Sequence, residues 1–210
     1  MENFLVSIIA SIILVFRNIF RVIQDPYKTM REIAKDHDIL QVYIIVTGCI
    51  AYFIYASSVR FRTIDPLITT PSALSAFITF VCTFALSIVY IQFLSRRLGI
   101  EQRDSTSSLL SLSAYSLVPT LLWFYITSTF YLLLPPPRHA TFLGIGFSIV
   151  FIVYSCTFLA WRLMMLYMTI RFSFKASFWQ VLTIMTAYLL TLLPYSYVLY
   201  KIGLFRVPFI

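Results

Sequence analysis

Five stretches of this chain run without a single Asp, Glu, Lys or Arg: residues 39–58, 72–94, 108–134, 141–161 and 178–200. Each is close to or above the length of about 20 apolar residues that a helix needs to cross the hydrocarbon core of a bilayer. Inside lipid, only helices and closed barrels satisfy every backbone N–H and C=O, and uninterrupted apolar runs of this length are the helical solution. They predict an all-α polytopic membrane protein with five transmembrane helices. Composition agrees: 60% of residues are apolar, 11% are charged, and mean hydropathy is +0.88. A soluble domain carries about 25% charged residues. These values exclude a soluble enzyme, a free nucleic-acid-binding domain and a disordered chain. The net charge of +8 fits basic residues held at the cytoplasmic side, near anionic headgroups.

Phe4 to Phe16 is apolar but too short to span alone. Asn3, Ser7, Ser11, Asn18, Arg21 and Asp25 recur at steps built from threes and fours, which draws a narrow polar edge along a helix with a wide apolar face. Residues 1–24 are therefore expected to form an amphipathic interfacial helix; the alternative is an extra span from Glu2 to Ile23. Glu2 stands where a signal peptide would be basic, and no small-residue cleavage site follows. Gln24 to Asp38 is the most charged segment. Pro26 suits a first helical turn with Asp25 as its N-cap, predicting a surface helix that leads into the first span. Residues 25–210 read as a single membrane domain.

Basic residues between the spans give the orientation. One side collects eleven: Arg17, Arg21, Lys28, Arg31, Lys35, Arg96, Arg97, Arg103, Arg162, Arg171 and Lys175. The other collects five: Arg60, Arg62, Arg138, Lys201 and Arg206. The N-terminus is expected inside and the C-terminus outside. Trp161 and Trp179 would mark the inner surface, and Tyr195, Tyr197 and Tyr200 the outer one.

Catalytic signatures are scarce. The spans hold no carboxylate, which argues against ion-coupled transport and an intramembrane aspartyl protease. HExxH, GxSxG and phosphate-loop patterns are absent. His37 and His139 fall on opposite sides of the expected bilayer. Asp36-His37-Asp38 does not converge on a metal, because adjacent helical residues point about 100° apart. Cys49, Cys82 and Cys156 suit apolar packing, with no disulfide framework. No enzyme, cofactor or metal is expected.

Hydroxyls are plentiful. Ser113, Ser116, Thr120, Trp123 and Thr127 share a face of the third span, and Ser72, Ser75, Thr79, Thr83 and Ser87 do so on the second. Such faces suit close helix packing, or a polar path for a lipid headgroup or small solute. Pro119 and Pro194 lie within spans and deprive the carbonyls of Tyr115 and Leu190 of their helical donors; each is a kink, a hinge or an opened site. Arg162 beside Trp161 is an anchor snorkelling to the interface or a lipid-phosphate contact. The loop Arg96 to Arg103 is a docking candidate on the inner surface, or simply a solvated turn.

Ala114-Tyr115-Ser116-Leu117-Val118-Pro119 resembles the Gly-Tyr-x-Leu-x-Pro motif of the Yip family, the Ypt/Rab-interacting multi-span proteins, and the looser Tyr-x-x-x-Pro of its prokaryotic relatives. Pro26 before the first span, Trp161 late in the fourth, and Ser173, Lys175 and Ala176 leading into the fifth look alike too. The likeness covers about residues 16 to 200. Ala114 replaces the eukaryotic Gly, and Asp-Leu-x-Gly-Pro and the long cytosolic N-terminal region are missing. The resemblance thus implies a short prokaryotic-type member in a cytoplasmic membrane, with a eukaryotic endomembrane as the alternative, and withholds the Rab-linked role.

The expected function is a non-enzymatic scaffold or adaptor in membrane organisation, working with the bilayer and with protein partners or other copies of itself, and without nucleic acid. The alternatives are an uncoupled conduit or binding protein for a lipid or small solute, and a hydrophobic subunit of a larger complex. Single cysteines at positions 62 and 97 should label from opposite faces of sealed vesicles, position 97 from the cytoplasmic one. Labelling from the same face would overturn the five-span arrangement.

Overall fold

The computed structural model describes residues 2–36, 38–61, 71–100, 105–133 and 142–202. His37, Arg62, Arg103, Arg138, His139 and Arg206, and with them part of the Arg96 to Arg103 loop, lie outside the described residues. The regular elements are α1 (Glu2–Gln24), α2 (Pro26–Ile33), α3 (Ile39–Phe61), α4 (Pro71–Arg97), α5 (Ser105–Tyr115), α6 (Val118–Leu133), α7 (Phe142–Phe174) and α8 (Phe178–Ile202). The all-α membrane fold read from the sequence is the one observed. Six helical stretches among the described residues are long and apolar enough to cross a membrane. Five match the expected runs, with α5 and α6 together forming the third, and the sixth is Val6–Gln24 in α1.

Helix ends follow local chemistry. Pro26 opens α2, and Asp25 precedes it, but the Asp25 carboxylate makes no capping bond. Its carbonyl instead accepts from the Thr29 hydroxyl at 2.8 Å. Asp38 caps α3, its Oδ1 accepting from the Leu40 N–H at 2.9 Å. Gly99, at φ 66°, closes α4: the Gly99 N–H donates to the Arg96 carbonyl and the Ile100 N–H to the Ser95 carbonyl. This is the pairing that a left-handed residue after a helix provides. Lys175, at φ 50°, makes the turn into α8, whose Ser177 N–H donates to Gln180 Oε1 at 2.9 Å, half of a capping box. Helix α7 does not stop at Trp161. Apolar residues follow Arg162, and the helix continues to Phe174.

Helices α4, α5, α7 and α8 form a ring in which each touches the next. Helix α3 packs on the outer side of α5 and α6, while α1 and α2 brace α3, α5 and α7. The α5–α6 stretch is the centre: 13 of the 25 residues of Thr106–Phe130 are buried, against 7 of the 31 of Gly144–Phe174 in α7. Polarity is arranged inside out. Ser108, Ser111, Ser113, Ser116 and Thr169 are buried, whereas Ile145, Ile149, Ile152 and Val153 face outward, as lipid-exposed helices require.

The middle of the α1 polar edge turns inward toward the neighbouring helices, while Ser7 and Asp25 at its two ends stay exposed. Ser11 and Asn18 are buried, and Ile9, Ile13, Phe16 and Phe20 are exposed. Ser11 Oγ donates to Asp38 Oδ2 at 3.0 Å. Asn18 Nδ2 donates to the Tyr115 hydroxyl at 3.2 Å and lies 3.4 Å from Gln41 Oε1. Tyr115 donates to Gln41 Oε1 at 2.5 Å, and Gln41 Nε2 donates to Asp36 and Asp38 at 3.1 and 3.2 Å. Two turns of α1 thus rest on the first turn of α3. The described ion pair, Arg21 with Glu32 at 2.7 Å, joins α1 to α2.

Tyr115→Phe should lower stability to denaturant in detergent by about 1–2 kcal/mol, the range for a buried side-chain bond between membrane helices. Tyr43→Phe, at an exposed phenol, should leave it unchanged. Equal effects would show that the network carries no stability.

Candidate functional site

The third span is broken. Helix α5 ends at Tyr115, Ser116 and Leu117 form a turn, and α6 starts at Val118 with Pro119 in its first turn. Proline fits there, because its missing N–H is one that a first turn leaves unpaired anyway. A break inside lipid exposes carbonyls that need new donors. Arg162 of α7 supplies one: its Nη1 donates to the Ser116 carbonyl and, at 2.5 Å, to Ser116 Oγ. Ser116 Oγ in turn donates to the Ser113 carbonyl at 2.7 Å. An arginine within a span costs about 3 kcal/mol on insertion scales. Here its charge is set against the dipoles of an opened backbone instead of snorkelling to the interface.

Beside this contact lies a cavity of about 300 Å³, enclosed by residues of α4, α5, α6, α7 and α8. Ser113, Ser116, Pro119, Thr120 and Arg162 all line it. Thr83 and Ser87 of α4 line it from across the ring. Thr83 and Ser87 of the second-span face and Ser113, Ser116, Thr120 and Trp123 of the third-span face therefore meet across a cavity, which Thr79 and Thr127 do not line. Their hydroxyls are partly committed: Ser87 Oγ donates to the Thr83 carbonyl at 2.8 Å, Tyr188 donates to Ser87 Oγ at 3.1 Å, and Thr83 pairs with the Tyr195 hydroxyl at 3.0 Å. Trp123 Nε1 donates to Ser155 Oγ at 2.9 Å, and Thr127 pairs with Tyr154. Leu159 of α7 and Leu193 of α8 line the cavity and are themselves exposed, so it opens sideways between these two helices.

Two of the expected site residues stand apart. Tyr115 points away from the cavity into the network with Asn18 and Gln41. Pro194 lies inside α8, exposed, beside the rim residue Leu193. Ser155, Tyr188 and Ser196 line the cavity without having been picked out by sequence. The one available signal was Trp123, whose half-buried indole N–H needs an acceptor and finds it in Ser155. Asp36 and Asp38 are engaged by Gln41. Among the described residues no group of His, Cys, Asp and Glu is arranged to hold a metal; Cys49 is buried, Cys82 and Cys156 are exposed, and all three are free. Arg97, the last residue of α4, lies over the ring of Phe93 in the same helix at 5.1 Å.

The family model described as Yip1 domain matches residues 20–200, a range that holds the broken span, the cavity, and Tyr115 with Gln41, but not Asn18. No curated protein matches, and no solved structure matches.

Pro119→Ala restores an N–H whose helical acceptor is the Tyr115 carbonyl. Amide exchange at residues 117–120 should slow about tenfold, the value of one net hydrogen bond. Unchanged exchange would mean that Arg162, and not the proline, holds the break open.

Proposed function

Since the chain belongs to the Yip1 domain family of multi-span membrane proteins, we propose that it works without chemistry of its own, as a membrane-organising protein that holds a lipid or similar amphiphile between its helices. The observation that carries this reading is the cavity beside Arg162, with hydroxyls in its walls and a sideways opening between α7 and α8. Ligand pockets are concave, mostly apolar and supplied with a few convergent polar groups. No carboxylate lines this one, which favours binding or uncoupled passage over ion-driven transport. The basic-residue asymmetry supports a cytoplasmic N-terminus, and the likeness to the shorter Tyr-x-x-x-Pro members supports a prokaryotic cytoplasmic membrane.

A scaffold or adaptor role is the companion reading, favoured by α1. Its exposed apolar face of Ile9, Ile13, Phe16 and Phe20 suits burial in the bilayer boundary or against a partner. The inward polar edge holds the helix to α3, so the face is presented on a fixed support. Its contact with the first turn of α3 favours a helix lying across the end of that span.

Filling the cavity separates these roles. Thr120→Phe should reduce the lipid retained after mild extraction, measured as phosphate per chain, by at least about half. Leu190→Phe, on the exposed face, should not. Equal retention in the two variants would overturn the lipid-holding role. Removing residues 2–24 should instead abolish cross-links to partner proteins in native membranes; cross-links that persist would overturn the adaptor role of α1.

A further inference from the structure

We propose that the cavity selects the anionic head of a glycerophospholipid, with its phosphate on Arg162 and its acyl chains leaving between Leu159 and Leu193. This rests on the lipid-holding role and adds the class of lipid. Arg162 is the charged residue among those lining the cavity. Its guanidinium uses Nη1 for Ser116. Nε and Nη2 make no hydrogen bond to the described residues, and no described carboxylate pairs with them. That leaves one edge of a planar fork whose geometry matches two oxygens of a phosphate.

Neutral donors stand beside it. Ser113 Oγ and Thr120 Oγ1 belong to residues lining the same cavity and make no hydrogen bond among the described residues. An anion placed there would meet a cation and two hydroxyls in a low-dielectric setting, where each contact is strengthened. A zwitterionic head would bring an ammonium as well, and the lining offers it no carboxylate. Size points the same way. About 300 Å³ is the lower limit of common ligand pockets, enough for a phosphate-bearing head but not for two acyl chains. The sideways opening, flanked by exposed leucines, lets the chains remain in the bilayer.

The test uses the full chain, equilibrated with equimolar phosphatidylglycerol and phosphatidylcholine in vesicles, extracted mildly and read by native mass spectrometry. Phosphatidylglycerol should be retained about tenfold over phosphatidylcholine, because both bring the phosphate but the second also brings a choline cation beside Arg162, an unfavourable charge contact of about 1.4 kcal/mol. Arg162→Gln should erase that ratio, and Arg162→Lys should keep a part of it. Ser113→Ala with Thr120→Ala, which leaves the arginine and its Ser116 contact in place, should lower the ratio about threefold. A ratio that survives Arg162→Gln would overturn the proposal. Displacement of phosphatidylglycerol by an equal amount of oleate would overturn the phospholipid assignment in favour of a carboxylate. Lipid retained by the unaltered chain without preference would overturn only this inference, whereas no retained lipid at all would overturn the lipid-holding role beneath it.

Discussion

A backbone opened inside a membrane has to be paired again, and the pairing of Ser116 with Arg162 organises the centre of this protein. Each element of that contact is unfavourable alone. A broken helix leaves carbonyls without donors, and a guanidinium within a span leaves a charge without water. Together, the carbonyl and hydroxyl of Ser116 receive two of the arginine's hydrogens. Removing either partner leaves the other stranded, so the break and the charge depend on each other. Pro119 favours the break by withholding a donor from Tyr115, and a first helical turn at Val118 accommodates it without further loss.

The break also separates two neighbours. Tyr115 ends α5 and sends its phenol toward α1 and α3, where it meets Asn18 and Gln41. Ser116, the next residue, turns its carbonyl to α7 and the cavity. One short turn thus joins a hydrogen-bonded polar cluster that fixes the α1–α3 corner to a cavity that still has donors to spare. The cluster reaches on through Gln41 to Asp36 and Asp38, so the segment entering the first span is tied to the middle of the third. Here the side chains of a Tyr-x-x-x-Pro motif act in opposite directions from the two ends of a backbone interruption.

Much of the architecture was legible in the charge-free runs, because span length and the need to pair every backbone group leave few alternatives. The Tyr115 to Pro119 segment pointed to the right family and the right span. Ser113, Ser116, Thr120 and Arg162 were visible as a hydroxyl stripe and a span-end cation, and the structure brings them to one cavity. Their meeting was not legible: it depends on α7 running on to Phe174, which carries Arg162 to the level of Ser116. Apolar residues after an arginine read as an interfacial tail as readily as a continued span, until a partner for the charge is known. The roles of Gln41 and Asn18 were hidden for a similar reason. An amide at the start of a span reads as an exposed end residue, and its burial is decided by a helix far away in the chain.

Helix α1 shows how one pattern supports two geometries. A narrow polar edge on a wide apolar face describes a helix floating at an interface, and equally one whose polar edge is its seam with neighbours. Periodicity records the direction of the edge but not what lies beyond it. Here Asp38 and Tyr115 lie beyond it, and they take up Ser11 and Asn18. The cost of burying those two polar groups falls only when both find partners, and both are held by residues at the start of α3 and at the break. The opposite face is apolar through Ile9, Ile13, Phe16 and Phe20. A helix seated by its polar side in this way offers the bilayer, or a partner, a surface whose position is fixed by the same cluster that ends at Tyr115, one residue from the cavity.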